Sequence, residues 1–240
     1  MAAILRVGTG AVTDTGGNPL IAVALSPDPP HLVVTAYDAL QSFVHRGHRE
    51  TAGIILGLLG ARSGDTVVEI GCGTGSVARQ ILARGFDYVG VDPDRERVEA
   101  AARKNVGGRF LLGEAGVLDT VDLPANRRVF IHGVLHHLDD EYATWLVGYL
   151  LAWADTGRVV VSEPIRPDRW WQNPAGELAM LLDEGKHIRR EREWLDLFGE
   201  LVDHARVRKL WPRWPVSMLD LRLSVPDDRL RDLGSAVPVE

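Results

Sequence analysis

The first groups able to do chemistry stand at residues 69–92. The run Glu69-Ile70-Gly71-Cys72-Gly73-Thr74-Gly75 sets a carboxylate before three alternate glycines, and Asp92 closes a second apolar run, Tyr88-Val89-Gly90-Val91. Glycines let the backbone turn tightly and approach a ligand without side-chain clash. A carboxylate about 20 residues beyond such a turn is placed to accept hydrogen bonds from ribose hydroxyls. The pattern is not a dinucleotide fingerprint, because position 76 is Ser, nor a phosphate loop, because no Lys follows the glycines. Glu69 suits a cation better than a pyrophosphate.

A second cluster, His132, His136 and His137, follows the apolar run 128–131, and Glu163 follows another. Imidazole titrates near neutral pH and serves as a general base. His136 and His137 read either as packing for the strand-to-helix turn or, one of them, as that base, and His132 with Gly133 lines the edge of the same crevice. Glu163 binds substrate, orients the base or caps its strand. No Cys or carboxylate stands inside the cluster at metal-ligand spacing, so no metal is expected. Further on, Asp183-Glu184-Gly185-Lys186-His187-Ile188-Arg189 is flanked by Trp170, Trp171 and Trp194. It reads either as an amphipathic cover with a tryptophan core or as a pocket in which Lys186, His187 and Arg189 meet an oxygenated substrate, with His187 as a further catalytic candidate.

These groups need elements to hold them. Strand 66–70 leads to helix 75–84, and strand 88–92 to helix 94–104, with Asp94 as cap. Strand 109–113 leads to a short connector, strand 128–132 to helix 139–153, and strand 157–162 ends at Glu163-Pro164. The alternation implies a parallel sheet with right-handed crossovers. The expected fold is therefore α/β, a Rossmann-like doubly wound, mostly parallel seven-stranded sheet with a helical cap. Helical stretches 36–45 and 49–59 make that cap (35–60), and Tyr37 falls in the first of them. Residues 168–200 read as helical and 165–200 as a substrate-cover insertion; 203–211 and 215–224 read as a closing pair of strands. Residues 1–30 end in Ser26-Pro27-Asp28-Pro29-Pro30, which disfavours helix and sheet. A flexible arm is expected there, ahead of one domain at 31–240.

A chain of 240 residues with 45% hydrophobic and 25% charged residues fits one globular core. A net charge of -6 argues against a nucleic-acid binder. One cysteine, Cys72, excludes an internal disulfide and a thiolate metal site. In the glycine turn it reads as a small residue filling a tight bend. The absence of a long apolar stretch or signal-peptide core leads us to expect a cytoplasmic protein with no membrane partner. Oligomeric state is not legible.

Taken together, Glu69-Ile-Gly-Cys-Gly-Thr-Gly75, Val91-Asp92-Pro93, Leu112-Gly-Glu114-Ala115 and Gly133-Val-Leu-His-His-Leu138 resemble the class I S-adenosylmethionine-dependent methyltransferases, over roughly residues 35–225. The resemblance implies S-adenosyl-L-methionine as cofactor. Glu69, Gly71, Cys72, Gly73 and Gly75 would surround its methionine part, Asp92 and Pro93 its ribose, and Glu114 and Ala115 its adenine. The lids of such enzymes close over cofactor and acceptor, which brings Tyr37 in as a candidate substrate contact. The implied reaction is methylation of a small-molecule acceptor, first of all on oxygen, in natural-product metabolism. Cofactor-assisted cyclisation or rearrangement, or a non-catalytic relic, are the alternatives. The acceptor is not readable.

Overall fold

The computed structural model describes residues 3–6, 48–167, 186–208 and 217–225. Two compact units divide between residues 125 and 126, with residues 55–61 belonging to the second.

In the first unit, β2 (Thr66–Ile70) and β3 (Asp87–Asp92) pair in parallel, Glu69 opposite Gly90. β4 (Arg109–Leu112) pairs in parallel on the far side of β3, Leu112 opposite Asp92. All five residues of β2 are buried, as a strand covered on both faces requires. Between these strands in sequence lie α2 (Ala78–Leu82) and α3 (Arg95–Lys104), while α1 (His48–Leu59) precedes them and is divided between the two units at residue 55. Asp94 caps α3 as expected, accepting from the Arg97 amide at 3.1 Å. Helix α2 is shorter than the expected 75–84. Its cap position, Val77, offers no side-chain oxygen, and residues 72–75 close a turn of their own through Gly75 N to Cys72 O. A short strand, β1 (Ala3–Arg6), pairs antiparallel with β4. It lies inside the stretch expected as an arm; the open edge of β4 offers it a ladder that local composition does not disclose.

In the second unit, β5 (Arg127–His132) pairs in parallel with β6 (Arg158–Ile165), His132 opposite Ser162. β8 (Ser217–Ser224) runs antiparallel to β6, and β7 (Val202–Arg208) antiparallel to β8. α4 (Asp140–Trp153) is capped by Asp139, and α5 (Glu191–Phe198) precedes β7. β6 runs three residues past the expected end at 162, through Pro164. β5 has ended at His132, so one flank of β6 has no ladder there to lose a donor from. Among the described residues, the helical reading of 168–200 holds for Glu191–Phe198 and for the 3-10 turn Gly199–Leu201 that follows it; residues 187–189 are outside helix, and 168–185 lie outside the described residues. Strands β2 to β8 deliver the doubly wound, mostly parallel Rossmann-like fold expected from the alternation.

Candidate active site

The glycine turn is built by its own backbone. The amides of Gly71 and Cys72 both donate to the Val91 carbonyl, at 2.7 and 3.0 Å. Gly71, Gly73 and Gly75 have φ of 72°, 51° and 75°, a region that side chains other than glycine enter at a cost. The three glycines do different work. A Cβ on Gly75 would sit 2.3 Å from Asn105 Nδ2 and 3.1 Å from Ala101 Cβ, so this glycine allows α3 to pack against the turn. A Cβ on Gly73 would meet no atom within 4 Å, which leaves room for a ligand beside the backbone.

Asp92 joins this turn to the next loop. One oxygen accepts from the Gly73 amide at 2.8 Å, and the other from the Asp94 amide at 2.9 Å. The Asp92 carbonyl accepts from Gly113 at 3.1 Å, which draws in the third loop, where Glu114 is exposed and Ala115 is buried at the head of a short helical turn. Pro93 is exposed beside it.

Glu69 is buried and accepts a hydrogen bond from the Tyr88 hydroxyl. Burial pushes its carboxyl up to about 8; the Tyr88 bond works against this rise and the charge of Asp92 adds to it. Cys72 lies over Gly90, where a Cβ would come within 2.8 Å of its sulfur. Burial, helped by Glu69 and Asp92, raises its thiol well above the ordinary value, so it fills space and is no nucleophile.

In the second unit, the structure separates the three histidines. His136 is buried, and its Nδ1 lies 2.7 Å from Glu163 Oε2. The other oxygen of Glu163 accepts from the amides of Val134 and Leu135, both at 2.8 Å. Burial alone would raise the Glu163 carboxyl. The hydrogen bond and charge of His136, with the two amides, outweigh this and hold it below the ordinary carboxylate value. An ionised carboxylate only accepts, so Nδ1 carries a hydrogen. His137 is exposed, its ring centre 4.1 Å from that of His136. Gly133, at φ 67°, lets the chain turn directly after β5. His132 is held below the ordinary imidazole value, chiefly by desolvation; Arg208 adds to this while Glu163 and Asp220 oppose it.

On the expected substrate side, Lys186 and His187 have exposed side chains, and His187 uses its amide, donating to the His136 carbonyl at 2.8 Å. Arg189 is a correction. It is buried and its guanidinium is spent on Asp140 and on the carbonyls of Leu135, His187 and Leu138, so it is not free to bind an acceptor. Tyr37, Trp170 and Trp171 lie outside the described residues.

Sequence reasoning missed Tyr88, whose register two residues before Gly90 and opposite Val67 was the available signal. It also missed a buried group in which Ser162 donates to Asp220 at 2.6 Å and Arg208 pairs with Asp220 at 3.0 Å. Nothing in the separate strands marks that group. Among the described residues, no group of three or more His, Cys, Asp or Glu could hold a metal ion.

A Rossmann-like sheet with a glycine turn after one strand and a strand-end carboxylate on the next defines a nucleotide-cofactor enzyme. The methyltransferase domain family matches residues 43–200, more than half of the 240-residue chain, and the protein belongs to that family. The cofactor of that family is S-adenosylmethionine. The open space at Gly73, the held carboxylate of Asp92 and the buried Glu69 fit that cofactor's hydroxyls and positive charge. A probable cobalt-precorrin-6B C(15)-methyltransferase (decarboxylating) of Pyrobaculum aerophilum is 32% identical over 124 residues, covering 48% of this chain and 61% of that one. The chain thus spans less than two thirds of that relative. Magnesium protoporphyrin IX methyltransferase from Synechocystis, solved with bound SAH, is 19% identical and covers 77% of this chain and 87% of its own, with a TM-score of 0.55. The plantazolicin methyltransferase is 13% identical, covering 79% and 90%, with a TM-score of 0.58. At such identities the likeness speaks for the fold. Among the described residues no helix is long and apolar enough to cross a membrane.

Proposed function

We propose that the protein methylates an oxygen of a small-molecule acceptor, with His136 as general base and Glu163 as its orienting partner. The observation that carries this is the buried His136–Glu163 pair, in which a carboxylate 2.7 Å from Nδ1 orients the imidazole and would balance its positive charge. The cofactor supplies an electrophilic methyl group on a cationic sulfur, whose departure leaves a neutral thioether. In the first unit, Gly71 and Gly73 would let the backbone approach it while Gly75 seats the turn on α3, Asp92 would accept from the ribose, and Glu69 would face the positive charge. Glu114 and Ala115 border the adenine. In the second, His136 would take the proton of the acceptor hydroxyl, and Glu163 would balance the imidazolium.

The plantazolicin enzyme among the fold neighbours favours a natural-product acceptor. Tyr37 and Lys186 are the candidate contacts for it, and the cytoplasm is the proposed place of action. The test is methyl-labelled S-adenosylmethionine with a panel of hydroxylated acceptors, read by mass spectrometry. His136→Ala should lower turnover by about 10²–10⁴-fold, the usual contribution of a general base. Wild-type turnover in that variant would remove the base role. Product with a rearranged skeleton and no added methyl would remove methyl transfer.

A further inference from the structure

We infer that Arg189 is a positioning residue for His136: it fixes the imidazole by holding the backbone of the turn that carries it. This rests on the proposed base role of His136. A guanidinium has five N–H hydrogens, and here each has an acceptor. Nε donates to Asp140 Oδ1 at 2.8 Å. Nη1 donates to the carbonyls of Leu135 and His187, both at 3.1 Å. Nη2 donates to the Leu138 carbonyl at 2.9 Å and to Asp140 Oδ1 at 2.6 Å. Leu135 and Leu138 bracket the histidine. Its own carbonyl is held by the His187 amide at 2.8 Å. The segment 187–189 therefore holds three of the carbonyls of residues 135–138, while Glu163 holds two amides and the ring of the same turn.

The arrangement is specific to arginine. Its planar fork addresses acceptors in fixed directions, whereas an ammonium is a point donor. The guanidinium lies 4.5 Å from the centre of the Trp194 ring, which is fully buried and blocks rotation away from the turn. Asp140 contributes less to the fixation. Its side chain is 76% exposed, and an ion pair with so exposed a partner is screened by solvent. The bonds to Leu135 and Leu138 are the ones that set the turn. A base displaced by about 1 Å loses turnover even when it is chemically intact.

The first test uses the full chain without acceptor. A hydrogen held between imidazole Nδ1 and a buried carboxylate gives a far-downfield proton NMR signal when it is shielded from solvent. Wild type should show it, and Glu163→Gln should lose or move it, which assigns it. Arg189→Lys and Arg189→Met, checked for folding by near-ultraviolet dichroism, should lose or exchange-broaden the signal. Asp140→Asn leaves the carbonyl bonds in place and should keep it. A sharp signal in either folded Arg189 variant overturns the inference, as does its absence from wild type. If neither variant folds, the residue is structural and the positioning role falls. The second test separates this from the base reading. In a methylation assay, Arg189→Lys should lower kcat in the wild-type background and have no further effect on His136→Ala. Additive losses overturn positioning. An inert His136→Ala overturns the base alone, while the NMR signal still reports what Arg189 holds.

Discussion

His136 Nδ1 lies 2.7 Å from Glu163 Oε2, with both side chains enclosed by the second unit. The two residues are 27 positions apart in sequence, and Glu163 also takes the amides of Val134 and Leu135. One carboxylate thus fixes both the ring and the backbone beside it.

Glu163→Gln should cost about 1–3 kcal/mol of stability, the penalty of leaving buried groups poorly satisfied. The sign with pH follows from the lowered carboxyl of Glu163. Its stabilisation is complete above the unfolded value of ~4.3 and is lost as pH falls through the lower folded value. Denaturant melts from pH 7 downward should show wild type losing its advantage over Glu163→Gln in that acidic window. A constant difference between the two would refute the account.

Glu69 behaves oppositely, because its folded value is raised to about 8. Between the ordinary carboxylate value and about 8, the folded cofactor-free protein holds a proton that the unfolded chain has released. Stability should therefore fall with rising pH across that window, by up to about 1.4 kcal/mol per pH unit. Glu69→Gln should remove the slope and melt higher at pH 8. Binding of the cationic cofactor should release a proton, read by calorimetry in buffers of different ionisation enthalpy. Identical heats of binding in all buffers would show that Glu69 is already ionised.

The turn glycines should separate. Gly75→Ala collides with Asn105 and Ala101 and should destabilise the fold strongly. Gly73→Ala meets open space and should cost only the backbone term, roughly 1–2 kcal/mol. Gly73→Arg should stay folded and lose cofactor binding. Asp92→Ala should weaken binding by ~1.5–3 kcal/mol through lost charge-assisted bonds, and should also loosen the turn that its carboxylate holds. Wild-type affinity in both Gly73→Arg and Asp92→Ala would sink the cofactor site.

Turnover should be unchanged by a chelator. Among the described residues, no group of three or more His, Cys, Asp or Glu could hold a metal ion. Activity lost to EDTA and restored by magnesium would contradict this.

The sequence alone determined strands β2 to β8 and the glycine turn that follows β2. Glu69, the three glycines and Asp92 are close in sequence, so strand, turn and strand end are legible from local chemistry: glycine for positive φ, apolar runs for buried strands, a carboxylate at a fixed offset. The Asp94 and Asp139 caps are local for the same reason. The tertiary structure decided which histidine has a carboxylate partner, since Glu163 reaches His136 only because β5 and β6 pair in parallel. It also turned Arg189 from an expected substrate contact into a clamp on residues 135–140, because burial over Trp194 and five satisfied hydrogens are properties of packing. Contacts between residues far apart in sequence leave no periodicity to read. They exist only once apolar burial has brought the strands together and every buried polar group has had to find a partner there.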